Sequence, residues 1–144
     1  MRLLLVGCNH HTAPVEVREK LAFTPAQALD ALAQIRERFP RSEAVLLSTC
    51  NRVELYLAAE DGHGLPTHHD VVDFLAGYHG IDPGEIFDEL FERSGEDAIR
   101  HLFTVAASLD SMVVGEPQIL SQVKQAYELA QQRQSNGPLT NQIF

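Results

Sequence analysis

The stretch Ser48-Thr49-Cys50-Asn51-Arg52, with Glu54 just beyond it, gathers hydroxyls, a thiol, an amide, a guanidinium and a carboxylate. A thiol beside a cation is held more fully as thiolate, the form that attacks a carbonyl carbon. The flanking runs, Glu43 to Leu47 and Val53 to Ala59, alternate as strands do, so the stretch reads as a hairpin tip. A tip of this kind presents a side chain at the surface on a rigid support. The local pattern is served equally by a half-buried structural cysteine, because free Cys is among the most buried residue types. No cysteine motif of other families fits it.

Two further groups carry candidate chemistry. His101 falls on the polar side of a helical repeat whose predicted core face is Ala98, Ile99, Leu102, Phe103 and Ala106. A solvated histidine satisfies that pattern, and so does a base or acid working on Cys50 from a distant sequence position. Gly115-Glu116-Pro117-Gln118, preceded by Asp110 and Ser111, sets a carboxylate and an amide at a helix start. Ordinary capping accounts for it, as does a polar wall for a ligand bearing amino and carboxylate groups. Gln118, Gln122 and Gln125 share one ridge of the helix that follows. The adjacent pairs His10-His11 and His68-His69 make poor chelates, and no metal is expected. No Gly-x-Gly-x-x-Gly and no P-loop occurs, so no nucleotide site is legible.

The elements that must position these groups follow from periodicity and punctuation. Arg2 to Cys8 is a buried first strand. Pro14 opens a short helix to about Ala22, and Thr24-Pro25-Ala26-Gln27 caps a second that Pro40 stops. In the second hairpin arm Val53, Leu55 and Leu57 alternate with Arg52, Glu54 and Tyr56, which predicts one buried and one available face. Thr67 caps a helix ending at Gly80. A short helix after Asp82-Pro83 and a brief strand over Leu90 to Arg93 come next, then a helix begun by Ser94 with Asp97. Pro117 opens the longest helix, which Asn136-Gly137-Pro138 ends. The predicted class is α+β: a ferredoxin-like βαββαβ antiparallel sheet, covered by helices on one side, with extra C-terminal helices.

The 144 residues suit one domain, 1–144, with an ordinary core. Eleven Lys and Arg against 20 Asp and Glu give a net charge of −9, which repels phosphates over the surface as a whole. A nucleic-acid partner must then be gripped locally or elsewhere. The opening apolar run is too short for a signal peptide or a membrane span, which points to a cytoplasmic protein with reduced thiols at Cys8 and Cys50.

Three blocks together are more specific than any one: Gly7-Cys8-Asn9-His10-His11-Thr12-Ala13-Pro14-Val15-Glu16-Val17-Arg18-Glu19, Leu47 to Glu54, and His101-Leu102-Phe103 through Leu109 to Leu120. In these the chain resembles the N-terminal catalytic domain of glutamyl-tRNA reductases, departing mildly at Cys8 and around Ala107-Ser108. The resemblance implies that Cys50 is a nucleophile attacking the aminoacyl ester of glutamyl-tRNA. Hydride from NADPH would reduce the resulting thioester to glutamate-1-semialdehyde, which opens the five-carbon route to tetrapyrroles. It implies a role in activity for His101, and substrate contacts at Thr49, Asn51, Arg52, Ser111, Glu116, Pro117, Gln118 and Gln122. Arg52 suits the substrate's side-chain carboxylate and Glu116 its ammonium. The family's NADPH-binding and dimerisation domains are expected to lie outside this chain, with Gly137 to Phe144 a linker towards them. A homodimer and a glutamate-1-semialdehyde aminomutase partner are then expectations for the full-length protein, and a monomer for this chain. A free-standing cysteine acyl hydrolase or transferase, and a non-catalytic ferredoxin-like binding module with an inert Cys50, are the competing readings.

Overall fold

A computed structural model of the chain describes residues 2–60, 64–107 and 118–144, with Gln118 by its backbone only. In chain order the elements are β1 (Arg2–Asn9), α1 (Val15–Leu21), α2 (Pro25–Arg38), β2 (Glu43–Ser48) and β3 (Arg52–Ala59). They continue with α3 (His68–His79), α4 (Pro83–Ile86) running into a 3-10 turn, β4 (Phe91–Ser94), α5 (Glu96–Ala106), α6 (Gln118–Gln132) and α7 (Pro138–Ile143). The fold is mixed α/β. The four described strands form one sheet in the order β2-β3-β1-β4, with every neighbour antiparallel.

Local chemistry sets the helix starts. Thr24 and Thr67 each accept the backbone N–H three residues on, and Gln27 and Asp70 return the bond to the cap backbone, closing two capping boxes. The Asp70 carboxyl is held below its usual range by those bonds from Thr67. Gly80 closes α3 in the left-handed region, as its position predicts.

The start of α5 differs from expectation. Ser94 is the last residue of β4, paired with Leu4, and it does not cap the helix. The N-cap is Gly95 at φ 56°, a conformation that only glycine adopts without strain, and its N–H reaches Leu3 O. The strand is thereby prolonged and the helix starts one residue later.

The sheet is covered on both faces, which corrects the one-sided reading. All eight residues of β3 are buried, including Arg52 and Glu54. Leu4, Val6, Cys8, Val53, Leu55 and Leu57 share one face, towards α1, α2 and α3. Leu3, Leu5, Gly7, Arg52, Glu54 and Tyr56 share the other, which α5 reaches through His101 and α7 through Phe144. The outer edge of β2 is partly closed by Ser135, which exchanges bonds with Ala44 through its backbone O and its Oγ. Edge strand β4 remains mostly exposed and carries Glu92 and Arg93, charges that discourage edge-to-edge pairing.

The tail is also more ordered than a linker. Pro138 opens α7, and Glu43 of β2 caps it from across the fold, accepting from Leu139 N, Thr140 N and Thr140 Oγ1 at 3.1, 2.7 and 2.9 Å.

Candidate active site

The hairpin tip is folded by Thr49. Its Oγ1 accepts from the backbone N–H of Asn51 (3.1 Å) and of Arg52 (3.2 Å), while its own N–H donates to Arg52 O at 2.8 Å. These bonds close the turn around Cys50 without using the thiol, which is free and exposed. Upstream, Ser48 Oγ accepts from Phe23 N at 2.9 Å and ties the hairpin to the start of α2. On the far side Asn51 Oδ1 accepts from Arg18 Nη1 of α1 at 3.4 Å. The loop after β1 adds a wall: Asn9 lies opposite Arg52 in the ladder, and its Oδ1 accepts from His11 N at 2.8 Å.

Below the tip lies a buried polar cluster centred on Glu54. Arg52 Nη1 donates to Glu54 Oε2 at 3.1 Å, and Tyr56 Oη donates to Oε1 at 2.7 Å. His101 Nε2 meets Oε2 at 2.6 Å, bringing α5 onto β3. Glu54 is fully buried and Arg52 is 1% exposed. A carboxylate at such depth is tolerated only when donors replace its water, and three do so here. Arg52, Glu54 and Tyr56 alternate along one strand, so all three point the same way. The face predicted to be available is an interior polar layer.

Glycine makes the room. Gly7 pairs with Glu54 on one side and with Phe91 on the other, so three strands present carboxylate, hydrogen and phenyl in a row. A Cβ at position 7 would stand 2.9 Å from Glu54 Cα and 3.0 Å from its Cγ, and closer still to the Val53 carbonyl oxygen. The His101 ring sits beside this gap, its centroid 5.3 Å from that of Phe91.

His101 therefore faces inward, contrary to the predicted wet side of α5. The buried positions are Ala98, Leu102 and Val105, whereas Phe103, predicted as core, is 58% exposed. His101 shares the buried stripe at i+3 from Ala98 and i−4 from Val105.

Of the predicted site residues, Thr49, Cys50, Asn51, Arg52 and His101 belong to one region built on β3 and its turn. Gln122 lies on α6 and, with Ser48, Phe23 and Ala126, lines a cavity of about 70 Å³ beside the start of the hairpin. Ser111, Glu116 and Pro117 lie outside the described residues, as does the side chain of Gln118. Glu54, Tyr56, Gly7 and Phe91 had no role assigned from sequence. The signal that could have found them is the alternation of Arg52, Glu54 and Tyr56, read as an inward face.

The second thiol is a contrast. Cys8 is buried on the opposite face of β1, and burial pushes it up to about 11. Both burial and the raised value keep it in the protonated, unreactive thiol form near neutrality.

Comparison with known proteins agrees on one family. The model for "Glutamyl-tRNAGlu reductase, N-terminal domain" matches residues 6–144. The glutamyl-tRNA reductases of Marinobacter nauticus and Pseudomonas aeruginosa are each 46% identical over the whole chain, which covers 33% of either protein. The solved glutamyl-tRNA reductase of Methanopyrus kandleri superposes with a TM-score of 0.72 at 37% identity, over 94% of this chain and 30% of that one. The chain thus spans about a third of the length of the curated relatives it matches.

Proposed function

The chain belongs to the glutamyl-tRNA reductase N-terminal domain family, and from that premise we propose that it is the acyl-accepting unit of such a reductase. The Cys50 thiolate attacks the ester carbonyl joining glutamate to the tRNA 3′ end. The carbon–oxygen bond to the ribose breaks, the ribose oxygen takes a proton, and the glutamyl group stays on sulfur as a thioester. Splitting the reduction of a carboxyl-level carbon into transfer and reduction lowers each barrier.

The observation that carries this reading is the exposed Cys50 on a tip held by the Thr49 hydroxyl, with Asn51 alone between Cys50 and the strand that anchors His101. It argues against an inert structural cysteine. Asn51 at the tip and Arg52 beneath it are proposed to orient the glutamyl group, with Thr49, Ser111, Glu116, Pro117, Gln118 and Gln122 as further substrate contacts. His101 handles the proton or polarises the carbonyl.

Reduction of the thioester needs a hydride donor, NADPH by family expectation. The described residues do not fit a dinucleotide: every strand pairing is antiparallel, and no glycine-rich turn carries a strand into a helix and on to a parallel neighbour. The described residues offer no site for the hydride donor, and left alone the thioester at the exposed tip would go to water. The homodimer, the aminomutase that would take up the semialdehyde, the cytoplasmic setting and the tetrapyrrole route are proposed for the whole protein. No described helix is long and apolar enough to cross a membrane. The ferredoxin-like reading of domain 1–144 is supported by the strand order and by the β-α-β-β-α-β succession.

The test is incubation with glutamyl-tRNA, acid quench and intact-mass measurement. A glutamyl adduct on wild type that is missing in Cys50→Ala supports the thioester. Wild type showing neither adduct nor ester hydrolysis removes the acyl-transfer reading.

A further inference from the structure

We propose that Glu54 is the positioning residue of this site: its carboxylate fixes His101 in the Nε2-protonated tautomer and holds the Arg52 guanidinium at the base of the hairpin. The assignment of a reactive role to His101 rests on the acyl-transfer reading above. The positioning itself rests on geometry alone.

An ionised carboxylate only accepts hydrogen bonds, so the proton in the 2.6 Å contact between Glu54 Oε2 and His101 Nε2 belongs to the ring. In the neutral imidazole that leaves Nδ1 as the lone-pair nitrogen, so the group able to take a proton is Nδ1. The carboxylate cannot swing away. Oε1 is held by Tyr56 Oη at 2.7 Å, Oε2 also accepts from Arg52 Nη1 at 3.1 Å, and Glu54 has no solvent exposure. The missing side chain at Gly7 lets the Glu54 chain lie flat against β1, and Phe91 flanks the ring from β4. Glu54, itself without solvent exposure, acts through the two groups it holds, much as a buried acid orients the histidine of a hydrolytic triad.

Two measurements test this. Two-bond ¹H–¹⁵N spectra of the chain, recorded at alkaline pH on the neutral ring, read the tautomer in wild type. The expected result is protonated Nε2 and pyridine-like Nδ1. A ring protonated at Nδ1, or exchanging evenly between forms, overturns the proposal without any variant having to fold. Glu54→Gln replaces the obligate acceptor with an amide that also donates, and should mix the tautomers and slow acylation of Cys50 by about 100-fold or more. Glu54→Asp keeps the charge and should return His101 to the Nε2-protonated form with part of the rate. Glu54→Gln with wild-type tautomer and wild-type rate overturns the proposal. If wild type shows the expected tautomer but never acylates Cys50, the acyl-transfer reading fails while the positioning by Glu54 stands.

Discussion

Gly7→Ala puts the packing beneath the site to its hardest test. The added methyl would lie 2.9 Å from Glu54 Cα, where ordinary contact begins near 3.4 Å. Strands β1 and β3 must therefore part by about half an ångström to clear Glu54 Cα, and by more to clear the Val53 carbonyl oxygen, within an eight-pair ladder. Overpacking by a group this size costs about 1–3 kcal/mol. At about 2–4 °C per kcal/mol for a domain near this length, the midpoint of thermal unfolding should fall by about 2–12 °C. The displaced atoms include Glu54 Cγ, so the carboxylate that holds His101 moves with them. Acylation of Cys50 should then slow even at 10 °C, where the variant remains folded by circular dichroism. Gly77→Ala is the matched control. Gly77 lies inside α3, where an added methyl would meet nothing within 4 Å, and the change should stabilise by about 0.5–1 kcal/mol. Should Gly7→Ala melt within a degree of wild type and acylate at the same rate, the claim that Gly7 makes room for the buried cluster is wrong.

Other outcomes follow from the same geometry. Cys50→Ala should abolish the glutamyl adduct while leaving the melting temperature within a degree or so, because the thiol is exposed and the turn is held by Thr49. Near neutral pH a maleimide should label Cys50 alone, with Cys8 reacting only after denaturation, as peptide mapping would show. Because burial raises the folded-state Cys8 thiol to about 11 from 9.0, its contribution to stability is complete below pH 9. It falls as pH rises from 9 to about 11, by at most roughly 2–3 kcal/mol, measurable by urea titration of wild type against Cys8→Ala. Glu43→Ala removes the acceptor of three bonds at the start of α7. It should cost about 1–3 kcal/mol and speed amide exchange in residues 138–143, whereas unchanged exchange there would show that α7 is held by other contacts.

Sequence punctuation was a good guide wherever a bond is local. The capping boxes at Thr24 and Thr67, the Gly80 cap and the hairpin around Cys50 each need only residues within a few positions of one another, and each appears where expected. Facing directions were harder. Alternation in β3 distinguishes two faces but cannot tell a wet face from one buried against α5, because a polar residue is tolerated indoors once it finds partners. Those partners, His101 and Gly7, lie 47 residues away on either side of Glu54. The rotation of α5 escaped for a related reason: Phe103 looks like core and His101 like surface, and only the carboxylate on β3 reverses them. Helix α7 was missed because its cap, Glu43, comes from another strand, while Asn136-Gly137-Pro138 reads locally as a terminator.

The separations around Glu54 also bear on how the site comes into being as the chain folds. An isolated hairpin over β2 and β3 closes early, since its strands are neighbours in sequence, and it already displays the thiol. The contact separations predict that the histidine arrives after β1 has docked on β3, because these contacts span nearly a third of the chain. A half-folded molecule thus carries the sulfur without the group proposed to work on it. Appearance of the His101–Glu54 bond in a refolding experiment would mark the point at which local structure has become a global fold.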